Sequence, residues 1–158
     1  MITFDTQAIQ NLGLEYTFVQ DATSVSTTKG TFRGLHFQKP PHAQTTFVRV
    51  VRGSIFDVTV DIRAGSPTFG QHVSVTLNAE DWRMIYLPKG LAHGFCTLVD
   101  DCHVAYKLGD HYAPDKAAGI QLGDADLGID WPIDPTQGII SDQDRANPCL
   151  RDLGPVFD

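Results

Sequence analysis

The sequence predicts an all-β fold, an antiparallel sandwich or barrel, and three observations predict it. Apolar residues recur with a period of two through the middle of the chain, most clearly in Ser54–Arg63 and Gln71–Leu77. Turn residues part the candidate strands at short intervals: Arg52-Gly53, Ala64-Gly65-Ser66-Pro67, Asn78-Ala79-Glu80-Asp81, Pro88-Lys89-Gly90 and Asp100-Asp101. No strand–helix–strand alternation is present, which excludes a parallel dinucleotide-binding sheet.

The elements follow in order. A short helix is expected near the start, capped by Asp5, with Ala8, Ile9 and Leu12 as its apolar stripe and Gly13 as its stop. Phe47–Val51 is the next strand candidate. In Ser54–Arg63, Phe56, Val58, Val60 and Ile62 face one way and Asp57, Thr59, Asp61 and Arg63 the other. In Gln71–Leu77, Val73, Val75 and Leu77 alternate with His72, Ser74 and Thr76. Arg83–Leu87, Phe95–Val99 and Cys102–Leu108 complete the set. From Asp110 onward the pattern fades into Pro, Gly and Asp, which reads as irregular chain laid over the sheet, with a short helix near Ser141–Asn147 capped by Ser141 or Asp142.

The chain has 158 residues, 42% hydrophobic and 20% charged, the size and composition of one globular domain. Its formal charge of −7 removes the basic face that a general nucleic-acid binder requires, though a few local arginines suffice for a small anionic ligand. No apolar run approaches the roughly 18 residues of a membrane span, and MITFDTQAIQ lacks the regions of a signal peptide. Cys96, Cys102 and Cys149 form no CxxC pair, so reduced thiols in a cytoplasmic protein are expected.

His36 sits in Gly30-Thr-Phe-Arg-Gly-Leu-His-Phe-Gln38, where Arg33 and His36 can offer one pocket an anion contact and a base; the alternative is a hydrogen-bonded structural histidine. Pro88-Lys-Gly-Leu-Ala-His93-Gly-Phe95 matches the second half-motif of cupin barrels, with a turn that opens a strand on a histidine at the barrel mouth. Metal cupins add His-x-His and a nearby Glu; here His36 is followed by Phe37-Gln38-Lys39-Pro40, so no metal is expected. His42, His72, His103 and His111 read as surface or rim residues. Tyr106 reads as a strand tyrosine with its hydroxyl at a rim, and Asp144 as a helix-start carboxylate. From the residues alone, His, Tyr and Asp could converge in a barrel mouth.

Taken together, Gly30–Gln38, Pro41-His-Ala-Gln44, Val48-Arg-Val-Val-Arg-Gly53, Phe56-Asp-Val58, Val60-Asp-Ile-Arg63, Ser66-Pro-Thr-Phe-Gly70, Pro88–Phe95, Tyr106-Lys107, Tyr112-Ala-Pro114 and Leu127-Gly-Ile-Asp-Trp-Pro132 closely resemble the dTDP-4-dehydrorhamnose 3,5-epimerase family, from about Phe18 to Asp144. The resemblance implies a homodimeric, metal-free, cofactor-free cupin-like jelly roll with short peripheral helices. It implies a nucleotide-linked 4-keto-6-deoxyhexose substrate, epimerised at C3, C5 or both through an enolate. By the same resemblance His36 is the base, Asp144 the carboxylate that orients it, and Tyr106 the acid on the other face. Arg33, His93, Gln20, Gln44, Thr46 and Tyr112 match positions that line the sugar or nucleotide-diphosphate site. A single domain over 1–158 is expected, with 1–17 a shortened N-terminal segment and 110–158 an irregular C-terminal one.

The chain departs from the family pattern in places. Thr46 stands where the family has a lysine that meets the charge on the C4 oxygen; losing such a donor costs about 3–4 kcal/mol. In the family a further N-terminal segment reaches the partner subunit's nucleotide site; the sequence starts at Met1-Ile-Thr-Phe4, inside the region that follows it, so either the sequence is shortened there or nucleotide contacts are lost, and Ala22 replaces an Asn. The diphosphate is then left to Arg33, Arg49 or Arg52, and the C4 oxygen to Thr46, with Arg49 and Arg83 as candidates on strands. Lys107 should point away from the pocket and Lys39 into solvent. An impaired sugar-nucleotide-binding homologue and a related sugar ketoisomerase are the alternatives.

Overall fold

The structure, a computed structural model, describes residues 3–14 and 17–157. Helix α1 is Thr6–Asn11, and nine strands follow: β1 Gln20–Ser26, β2 Phe32–Gln38, β3 Thr46–Arg52, β4 Ser54–Asp61, β5 His72–Asn78, β6 Met84–Leu87, β7 Leu91–Thr97, β8 Cys102–Leu108 and β9 Ala117–Gly119. Helix α2 is Asp142–Arg145. The strands form a four-stranded sheet, ordered β1-β8-β3-β6, and a five-stranded sheet, ordered β5-β4-β7-β2-β9. Each strand pairing is antiparallel. The architecture is a cupin-like jelly roll.

Two apolar cores flank the five-stranded sheet. Between the sheets, Val48, Val50, Ile55, Leu77, Leu87, Phe95, Cys102 and Val104 fill the lower barrel. On the outer face, Phe32, Leu35, Val58, Val60, Ala92 and Cys96 pack beneath Ile120, Leu122, Leu127 and Leu150 of the C-terminal chain. Irregular chain can cover a sheet because its side chains, not its hydrogen-bond pattern, supply the packing. Trp131 shows the fit: its ring meets Phe32 and Phe56 edge-on, and its Nε1–H donates to the Leu122 carbonyl.

Both sides of β4 are covered: Asp57 and Asp61 are buried on the side that points into the barrel, and the apolar side meets the C-terminal chain. Several sequence expectations change. Strand β7 begins at Leu91 rather than Phe95, directly after the Pro88–Gly90 turn. Strands β1 and β9 carry no clean alternation and take their state from β8 and β2. Asp5 does cap α1, accepting from the Gln7 N–H at 2.9 Å, but no α1 side chain is buried and Leu12 is exposed. Ser141, rather than Asp142, caps α2.

One irregularity positions the site. Strand β2 pairs Arg33 with Phe95 and His36 with His93, so three residue steps oppose two. This bulge reverses the alternation after Arg33, so that Arg33 and His36 share the inner face while Leu35 stays in the outer core. Gly34 makes the bulge possible. Its φ is 116°, and an added Cβ would stand 2.6 Å from both the Gly94 Cα and the His93 carbonyl. Gly34→Ala should therefore destabilise the protein by about 2–4 kcal/mol, summing backbone strain and overpacking. Chemical unfolding followed by circular dichroism tests this; an unchanged midpoint would contradict it.

Candidate active site

A half-open cavity of about 450 Å³ occupies the upper barrel, above the apolar core between the sheets. Its polar wall comes from β2 (Arg33 and His36), β7 (His93), β8 (Tyr106), β3 (Thr46) and the α2 turn (Ser141, Gln143 and Asp144). Its apolar wall includes Phe37, Leu91, Ala117, Ala118 and Phe157.

Two imidazole–carboxylate pairs stand here. His36 Nε2 lies 2.5 Å from Asp144 Oδ1, with the carboxylate buried and the imidazole about half exposed. That bond engages Nε2 and leaves Nδ1 for a ligand. Asp144 is held from three sides: the Gly34 N–H donates to its Oδ2, its own N–H donates to Ser141 Oγ at 3.1 Å, and α2 seats it under β2. Burial pushes the Asp144 carboxyl up. The hydrogen bond and positive charge of His36, aided by the Gly34 amide and Ser141, outweigh that burial and hold it below the ordinary carboxylate value.

The second pair was not foreseen. His93 Nε2 lies 2.7 Å from Asp57 Oδ2, and Asp57 is 1% exposed. Asp57 sits on the β4 face that also carries Thr59 and Asp61; the available signal was a carboxylate between apolar strand residues, Phe56 and Val58. The Tyr106 ring meets the His93 ring edge-on at 6.3 Å. Burial pushes the Tyr106 phenol well above its ordinary value, and the charge of Asp57 adds to this against the opposing charge of Arg33. The phenol is thus protonated at neutral pH, as a proton donor must be. Arg33 is braced by Nε–H donation to Ser26 Oγ and Nη2–H donation to the Val25 carbonyl.

His36, Asp144, Tyr106, Arg33, Gln44, Thr46, His93 and Tyr112 all border this cavity. Gln20 does not; its Oε1 accepts from the Tyr112 N–H at 2.9 Å, so it braces a rim residue instead. Arg49 lies over the Trp82 ring, Arg52 pairs with Asp101, and Arg83 with Asp81, all outside the cavity. Lys107 points outward to Asp21, and Lys39 is exposed. Among the described residues, Arg33 is thus the only Lys or Arg on the cavity wall. His42 pairs with Asp110 near the rim and His103 with Asp101 on the surface. Among the described residues, no three His, Cys, Asp or Glu side chains are grouped to hold a metal ion.

A jelly-roll cavity with a carboxylate-backed imidazole and a protonated phenol has the equipment of an epimerase that works by proton transfer. The comparisons agree. The profile of the dTDP-4-dehydrorhamnose 3,5-epimerase family matches residues 1–152. A Methanothermobacter thermautotrophicus protein named dTDP-4-dehydrorhamnose 3,5-epimerase is 46% identical over 99% of this chain and 84% of its own. A Legionella pneumophila 3,5-epimerase solved with dTDP-4-keto-L-rhamnose is 40% identical, with a TM-score of 0.91 over 99% of this chain and 85% of its own. A 3'-monoepimerase from Streptomyces bikiniensis, solved with dTDP-quinovose, is 36% identical, with a TM-score of 0.87 over 95% of this chain and 75% of its own. This chain belongs to the dTDP-4-dehydrorhamnose 3,5-epimerase family.

The Asp144 shift sets a sign for pH. A carboxyl lowered on folding adds stability above its unfolded value, about 3.9, and that stability is lost as pH falls through the folded value. The gap in Tm between wild type and Asp144→Asn should be widest above about pH 4 and shrink below it. Thermal melts of both proteins from acid to neutral pH measure this; a gap that widens in acid would refute it.

Proposed function

We propose that the chain epimerises a nucleotide-diphosphate-linked 4-keto-6-deoxyhexose at C3, C5 or both. The observation that carries this reading is the 2.5 Å contact between His36 and Asp144 in the cavity that also holds Tyr106. The C4 ketone acidifies the hydrogens on C3 and C5. His36 takes one through Nδ1, and the C–H electron pair shifts to the C4 oxygen as an enolate. Asp144 stabilises the imidazolium and fixes its orientation. Tyr106 then donates its proton to the same carbon from the other face as the enolate collapses, so the configuration inverts with no net oxidation. Arg33, Gln44, Thr46, His93 and Tyr112 line the sugar and diphosphate positions in this reading, with Gln20 supporting Tyr112.

The family relationship supports a homodimer. Three unpaired cysteines suit a reducing, cytoplasmic setting. A second reading, sugar-nucleotide binding without turnover, draws on the single cationic side chain of the cavity wall and on Thr46.

Incubation with a 4-keto-6-deoxyglucose nucleotide in heavy water tests the reading. Deuterium at C3 or C5 is expected, and His36→Asn should abolish it, with Asp144→Asn slowing it by a smaller factor. Absence of deuterium at both carbons favours binding alone, and migration of the ketone from C4 favours a ketoisomerase.

Thr46 offers the C4 oxygen only a neutral donor. Thr46→Lys should raise the rate about ten- to a thousandfold, the span for restoring one charged oxyanion donor. An unchanged or lower rate with fold intact would mean that the pocket is built around Thr46.

A further inference from the structure

The apolar wall of the cavity contains one residue from far along the chain. Phe157 lines the cavity beside Phe37, Leu91, Ala117 and Ala118, and its ring meets Phe37 edge-on at 6.2 Å. Its backbone is tied down from outside: the Ala64 N–H donates to the Phe157 carbonyl at 2.8 Å, and Arg63 and Phe157 form a parallel bridge. The anchor is itself rigid. Buried Asp61 accepts from Arg63 Nη2, Ser66 Oγ and Thr68 Oγ1, which staples the loop after β4. Leu153 and Val156 hold the preceding residues against the outer core.

We propose that residues 153–157 form a strap that completes the substrate site, with Phe157 as a binding wall for the apolar, carbon-bound surface of the ligand. This rests on the epimerase reading. The wall carries no donor or charge, so it cannot serve the diphosphate; it faces a cavity whose polar groups come from β2, β3, β7, β8 and α2. A wall of this kind contributes to ground-state and transition-state binding alike, since no charge develops on the carbon surface that it covers. Its loss therefore appears in KM rather than kcat.

Two variants test the strap. Phe157→Ala removes the wall. Ala64→Pro keeps every cavity side chain but deletes the N–H that holds the Phe157 carbonyl. Ala64 follows Arg63 in a turn closed by Ser66 N–H donation to the Arg63 carbonyl, a position where proline is favoured. Both variants should raise KM for the 4-keto sugar nucleotide by about five- to thirtyfold, with kcat within about twofold, and Phe157→Leu should recover most of the loss. A purely structural tail would lower Tm and leave KM alone, and an unchanged KM in either variant overturns the proposal. Wild-type turnover is the control: no turnover in the wild type overturns the epimerase reading and this inference with it.

Discussion

The site depends on one extra residue in one strand. Without the bulge at Gly34–Leu35, a strict period of two would put Leu35 beside Arg33 in the barrel and send His36 into the outer core. The bulge gives both neighbours their places: Leu35 fills the apolar layer under the C-terminal chain, and His36 stands opposite His93. The same bulge aims the Gly34 N–H at Asp144, so the backbone that turns the imidazole inward also helps to hold its carboxylate partner.

The inner strands of the five-stranded sheet, β4, β7 and β2, are covered on both faces, and this divides their labour. The outer face packs against Ile120, Leu122, Leu127 and Leu150. The inner face is apolar below, around Ile55 and Phe95, and polar above, around His36, His93 and Asp57. Buried carboxylates are costly unless paired or hydrogen-bonded: Asp57 pairs with His93, Asp144 with His36 and Asp61 with Arg63, and Asp124 accepts from the Asp126 and Leu150 N–H groups. Burial also keeps the Tyr106 phenol protonated, in the same cavity as the carboxylate-paired His36 imidazole.

Charge is scarce in the cavity. The chain is acidic overall, and Arg49, Arg52 and Arg83 are engaged with Trp82, Asp101 and Asp81 at the surface, leaving Arg33 on the wall. Besides that guanidinium and the two histidines, the wall offers neutral donors, Thr46 and Tyr106 among them.

The all-β class, the strand spacing and the pairing of His36 with Asp144 were legible in the sequence, the last through resemblance alone, since 108 positions separate the two residues. Helix caps were legible too, because Asp5 and Ser141 act on neighbours two or three residues away. Tertiary structure decided which face of each strand meets what. The alternation in β4 separates a polar from an apolar side, but period two records two faces and not their neighbours. Only the second sheet and the C-terminal chain reveal that both are buried and that Asp57 serves His93. The bulge was likewise hidden, as Gly34 signals freedom but not register. So was the arrival of Phe157 beside Phe37, a contact made by chain returning from 120 residues away along a path that no local pattern encodes.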